Sequence, residues 1–270
     1  MALSTYYKRK GDTVLSFDIA SRQEEDLRLP NNRILRDRMD EADFVHLLAF
    51  DVGGSRYLKT YQHQYEFLSN NARLMQYTFE ALRATKKPFM FASSQMSNMS
   101  FSPYGTLKAL GESYTRALGG LVVKFWNVYG VEHDANKSHV ITDFLMKARN
   151  TREISMLTDG SEVRQFLHAD DCSACLDILA ARYAEIPRTT ELHVTSFKWS
   201  SILDVAKIVA EIYPGTRIKP AKEMDDVQRG KRNEADPAIL QYWRPKIELP
   251  EGIRLVNDAL SGPPMLFKSR

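Results

Sequence analysis

Pro88-Phe89-Met90-Phe91-Ala92-Ser93-Ser94 is an unbroken apolar run that ends in two hydroxyl residues. Pro103-Tyr104-Gly105-Thr106-Leu107-Lys108 then opens a stretch of helical spacing that reaches Leu118, and Leu121-Val122-Val123-Lys124-Phe125 is apolar again. A strand covered on both faces reads as a continuous apolar run, whereas a strand with one wet face alternates. Strand, helix and strand in this order form a crossover, which joins parallel strands. The same alternation extends toward the N-terminus. Tyr65 to Ala84 carries Phe67, Leu68, Leu74, Met75, Phe79 and Leu82 at helical spacing. Asp43-Phe44-Val45-His46-Leu47-Leu48-Ala49 and Thr13-Val14-Leu15-Ser16-Phe17 are short apolar runs that read as strands. The expected fold class is α/β: a doubly wound parallel sheet with helices on both faces, which takes ligands beyond the carboxyl ends of its strands.

Beyond about residue 130 the regularity fades. Ile141 to Ala148, Cys172 to Ala184 and Ile202 to Tyr213 have helical spacing, while Pro and Gly gather between Pro214 and Pro250. The expected division is a core over residues 1–130, to which 163–185 contribute, and a smaller irregular substrate lobe over 131–270. The chain's 37 Lys and Arg against 34 Asp and Glu leave a formal charge of +3, too balanced to point to nucleic acid or a membrane surface. No apolar run approaches the ~18 residues of a membrane span. A soluble, cytoplasmic globular protein is therefore expected. The two cysteines, Cys172 and Cys175, form a Cys-x-x-Cys behind Asp170-Asp171. Zinc would need further ligands and a redox pair an electropositive setting, so buried structural thiols and no metal site are expected.

Tyr104 and Lys108, four residues apart, share one face of the predicted helix. An ammonium beside a phenol lowers the phenol's pKa, and the phenol can then exchange a proton with a sugar hydroxyl while Ser94 hydrogen-bonds the same oxygen. With Phe91-Ala92-Ser93-Ser94 and Pro103 to Lys108 go two further segments, Phe125-Trp126-Asn127-Val128-Tyr129-Gly130 and Arg164-Gln165-Phe166-Leu167-His168-Ala169-Asp170-Asp171. In this order and register they resemble the NAD-dependent epimerase/dehydratase family, Rossmann-like extended short-chain dehydrogenases/reductases that modify nucleotide sugars. The resemblance runs from about residue 2 to residue 258.

The resemblance implies a catalytic set of Ser94, Tyr104 and Lys108. It implies cofactor contacts from Asp18, Asp26, Leu27, Leu48, Ala49, Asn71, Tyr104, Lys108, Asn127 and Val128, with Asp18 favouring NAD over NADP. Substrate contacts fall on Val52, Gly53, Gly54, Ser94, Gln95, Met96, Asn127, His139, Arg164 and Arg229, the two arginines on the diphosphate. Ser138-His139-Val140-Ile141 resembles the segment that carries an acid/base histidine in GDP-fucose synthases. Asp51-Val52-Gly53-Gly54 and Arg229-Gly230-Lys231-Arg232-Asn233 resemble GDP-mannose 3,5-epimerases. His139 is thus a second acid/base candidate, since imidazole titrates near neutrality; the alternative is that it caps the helix after it. The helices at 65–84 and 103–118 match the pair through which family members form homodimers.

The chain also departs from the pattern. Met96 stands where the relatives place a cysteine, and a thioether cannot abstract a proton. The loop from Ser94 to Tyr104 is short. Met1 to Gly11 reads as the helix that follows the family's first strand and Gly-x-x-Gly-x-x-Gly turn, which cradles the dinucleotide pyrophosphate. The expectation is a start assigned late, by roughly the 20–25 residues of a strand and turn; weaker or different cofactor binding is a second explanation. The expected function is a nucleotide-sugar epimerase or reductase using NAD, with NADP as the other candidate cofactor. The alternative is a cofactor-free relative that binds a nucleotide sugar or a protein partner.

Overall fold

The computed structural model describes residues 2–132, 138–224 and 233–261. Helices α1 (Ala2–Lys10) and α2 (Arg33–Glu41) precede β1 (Val45–Leu47). Then come α3 (Ser55–Tyr61), α4 (Tyr65–Thr85), β2 (Phe89–Ser94), α5 (Pro103–Ala117) and β3 (Leu121–Phe125). The second half carries β4 (Asn127–Tyr129), α6 (Val140–Thr151), β5 (Glu153–Ser155), β6 (Val163–His168) and α7 (Ala169–Ala181). It ends with β7 (Leu192–Val194), β8 (Trp199–Ser201), α8 (Ile202–Ile212), β9 (Arg217–Lys219) and α9 (Leu249–Ser261).

The main sheet has the order β1-β2-β3-β7, and every neighbouring pair is parallel. All six residues of β2 are buried, as its apolar run requires. Side chains alternate across a strand: Phe89 and Phe91 enter one core with α2, α4 and α5, while Met90 enters another with Leu121, Val123 and α7. Helices therefore cover both faces of a doubly wound sheet. Each fully buried Phe or Met contributes about 1.5–3 kcal/mol. A third core gathers Tyr129, Phe166 and apolar residues of α6, α8 and α9. Two small sheets, β4-β6-β8 and β5-β9, flank it.

One expected strand does not form. Residues 13–17 have no strand structure, although Phe17 packs on the first core. Among the described residues β1 pairs only with β2, so no neighbouring strand is present to satisfy the backbone of 13–17. Side chains hold the segment instead: the Arg38 guanidinium lies over the Phe17 ring and donates to the Ser16 carbonyl. Helix α1 is tied to α7 through Lys10 and Asp177 at 2.7 Å. It also reaches β1, where the Tyr7 hydroxyl meets His46 Nε2 at 3.0 Å. Burial pushes the His46 imidazole down to about 4.

Candidate active site

The site grows from the end of β2. Ser94, its last residue, is buried, and its Oγ accepts the Met96 N–H at 3.2 Å. The chain then makes one short turn, Gln95–Asn98, and enters α5. Ser102 starts that helix: its Oγ accepts the Gly105 N–H, and Pro103 follows at the first helical position, where its fixed φ is already helical. Gly105 allows the close approach. A Cβ there would lie 2.2 Å from the Met96 carbonyl oxygen, so any side chain would push α5 off the turn. With α5 seated, Tyr104 is brought to Ser94, whose side chain works to lower the pKa of the phenol.

Lys108 lies one turn further along and is 3% exposed. Its ammonium donates to the Ala92 carbonyl at 2.7 Å and lies 3.8 Å from the centroid of the Phe50 ring. Burial lowers its pKa to about 7. Burial also raises the Tyr104 phenol to about 12, against the opposing effect of Ser94. The expected depression of the phenol by the ammonium is thus not found in this state. The ammonium is nearest the Ala92 carbonyl and the Phe50 ring, lies 5.8 Å from the centroid of the Tyr104 ring, and is itself partly neutral near pH 7.

A separate cleft of about 140 Å³ is lined among others by Asn127, His139, Thr158, Glu162 and Arg164. Ser94 pairs with Phe125 in the sheet, so Asn127 leaves β3 at the same carboxyl end. Gly54 packs so closely on the backbone before α6 that a Cβ would lie 2.8 Å from the Ser138 carbonyl oxygen, which brings the Val52–Gly54 loop to His139. His139 is the residue before α6, yet its side chain makes no capping bond. Its Nδ1 instead lies 2.5 Å from Glu132 Oε1. Arg164 lines the cleft and donates to the Val163 carbonyl. Ser94, Tyr104 and Lys108 stand outside the cleft lining.

Other residues singled out from sequence take supporting positions. Asn71 is fully buried and uses its amide on the Asp51 N–H and on the Asp51 and Phe67 carbonyls, so it braces the loop after β1. Gln95 is held through its carbonyl and Oε1 by Asn233. Met96 packs with Met99 and Tyr104. Arg229 lies outside the described residues. Glu132, Phe50 and Glu162 were not legible beforehand; none falls in a periodic pattern or a short motif. Cys172 and Cys175 are free and buried, and burial raises both thiols, Cys172 to about 12, which leaves them poorly reactive.

A family model described as the NAD dependent epimerase/dehydratase family matches residues 2–194. The chain belongs to that family. A GDP-L-fucose synthase from Sinorhizobium fredii is 29% identical over 136 residues, which are 47% of this chain and 42% of that enzyme. The match therefore spans less than half of that relative's length. Among solved structures, a GDP-6-OMe-4-keto-L-xylo-heptose reductase from C. jejuni superposes with a TM-score of 0.80 at 16% identity, covering 96% of this chain and 93% of that one. A UDP-glucose 4-epimerase from Thermus thermophilus, solved with NAD, gives a TM-score of 0.74 at 18% identity, covering 97% and 95%. At such identities the likeness establishes the fold.

The residues of this epimerase/dehydratase chain suit a nicotinamide ribose at one end of the site. Among the described residues, Asn127 Oδ1 is buried without a hydrogen-bond partner, and the Lys108 ammonium has a carbonyl but no carboxylate to answer it. A buried polar atom without a partner costs roughly 1–3 kcal/mol, which a bound hydroxyl or amide recovers. Asp18, the residue read from sequence as a ribose contact, is exposed; its Oδ1 accepts the Ala20 N–H and its own N–H donates to Glu25. The Asp26 carboxylate is engaged by Arg28 in a paired bond, and Leu27 is buried in the first core. Leu48 and Ala49 follow β1, and Val128 lies in β4.

Proposed function

We propose that the chain is a nucleotide-sugar epimerase or reductase that uses NAD and acts on an NDP-hexose, a GDP-sugar by preference. The observation that carries this is the approach of Tyr104 to Ser94 at the end of a buried parallel strand, with Lys108 one helical turn behind. Tyr104 exchanges a proton with the oxygen at C4 of the hexose, and Ser94 orients that oxygen. A phenol held near 12 gives its proton readily to an alkoxide, and an ammonium turned toward it would lower that value and populate the phenolate that acts as base in the opposite direction. Tyr104, Lys108, Asn127 and Val128 would hold the nicotinamide end, with Leu48 and Ala49, and Asp18 the adenosine ribose. A bound nicotinamide supplies or accepts the hydride at C4. Arg164 would pair with the diphosphate, a task suited to a guanidinium fork. His139 is the second acid/base group. The expected assembly is a homodimer through α4 and α5.

A second reading, a relative that binds a nucleotide sugar without chemistry, is favoured by one contact: the Phe50 ring covers the Lys108 ammonium at 3.8 Å. Titration with NAD and NADH followed by calorimetry separates the two. Saturable binding of either supports the enzyme, and nucleotide-sugar binding with no dinucleotide binding supports the second reading.

A further inference from the structure

We propose that Glu132 is a positioning residue that fixes His139 as its Nδ1–H tautomer and leaves Nε2 as the working nitrogen in the cleft. Both carboxylate oxygens act on the same residue. Glu132 Oε2 accepts the His139 backbone N–H at 2.9 Å, and Oε1 meets the ring Nδ1 at 2.5 Å. The ring therefore cannot turn without breaking a bond to a group that the backbone already anchors.

The chemistry of the pair decides the tautomer. Burial works to raise the Glu132 carboxyl, but the bonds from His139, with a smaller effect of Thr142, outweigh it and hold the group below the usual range. Its place before the first turn of α6 adds the attraction of the helix N-terminus. An ionised carboxylate only accepts, so the proton of a neutral ring must be on Nδ1 and the lone pair on Nε2. Nε2 has no protein partner among the described residues, and His139 is one of the residues that line the cleft. When a proton moves from substrate to Nε2 the ring becomes an imidazolium, and the Glu132 charge offsets it. Return of the proton restores the Nδ1–H form. The same logic, a carboxylate that sets the tautomer of an acid/base histidine, underlies the serine-protease triad.

The test combines nitrogen NMR with kinetics, because the kinetic part rests on the function proposed above and the tautomer does not. Long-range proton–nitrogen spectra of the full chain, with the His139 signals assigned by their loss in His139→Gln, should show an Nδ1–H ring at neutral pH. In Glu132→Gln, whose amide can accept or donate, the Nε2–H form should become populated. An Nε2–H ring in the unmodified chain, or an unchanged tautomer in both Glu132→Gln and Glu132→Ala, overturns the proposal. Under the proposed reaction Glu132→Gln should lower kcat about 10- to 100-fold, the usual cost of losing such a supporting bond, with KM changed little. Circular dichroism of each variant confirms that it is folded before its spectrum is compared.

Discussion

The Phe50 ring stands face-on to the Lys108 ammonium at 3.8 Å and edge-on to the Tyr104 ring at 5.7 Å. One aromatic side chain thus covers both groups on which the proposed chemistry depends. A cation over an aromatic face is worth up to about 2 kcal/mol when both are desolvated. A dinucleotide that is to hydrogen-bond with Lys108 must first displace that contact.

Phe50→Ala is therefore expected to tighten NADH binding by roughly 5- to 10-fold, the equivalent of about 1 kcal/mol. Fluorescence titration of NADH measures it. Weaker binding would mean that Phe50 supports the cofactor rather than obstructing it.

Lys108 makes stability depend on pH in a predictable direction. Its folded pKa of about 7 lies below the ordinary lysine value of 10.5. Between these values the unfolded chain binds the additional proton, so stability rises with pH from about 7 toward 10. The full effect is on the order of 3–5 kcal/mol. Urea unfolding of the chain and of Lys108→Met at pH 7 and pH 9 should show a gain for the lysine form that the methionine form lacks. Parallel pH dependence in the two would contradict the buried, unpaired ammonium.

Gly105→Ala tests the seating of α5. On helix propensity alone alanine would stabilise by about 1 kcal/mol. The 2.2 Å approach to the Met96 carbonyl predicts the reverse, a loss of about 1–3 kcal/mol from overpacking against backbone. Chemical denaturation gives the sign directly. A stabilised variant would show that the turn after Ser94 yields easily.

The homodimer expected from α4 and α5 has exposed apolar residues to build on: Leu68 at 37%, Leu110 at 46% and Tyr114 at 41%. Light scattering at micromolar concentration should give twice the chain mass, and Leu110→Asp should shift it toward the monomer. A monomeric unmodified chain would contradict this assembly.

The sheet and its helices were legible where burial and period agree. Leu121–Phe125 was read to the residue, and the helices at 65–85 and 103–117 to within one, because long apolar patterns leave few alternatives. Thr13–Phe17 has the composition of a strand but no neighbour to pair with, and pairing is a property of the sheet rather than of the segment. The positions of Ser94, Tyr104 and Lys108 followed from one strand end and one helical turn. Glu132 did not, since its partner lies seven residues away across a loop with no repeating geometry. Nor could the sequence disclose that the Phe50 ring lies nearer the Lys108 ammonium than the Tyr104 ring does, which depends on how the loop after β1 folds back under Asn71.

The most direct measurement is the turnover of a GDP-hexose with NAD(H) by Tyr104→Phe beside the unmodified chain, with nucleotide-sugar affinity measured on both. Removing one phenolic oxygen should lower kcat by about 10²- to 10⁴-fold, as loss of a proton-transfer group does, and leave affinity within about twofold. Undiminished turnover in the phenylalanine form would contradict the assignment of Tyr104 as the group that moves the proton.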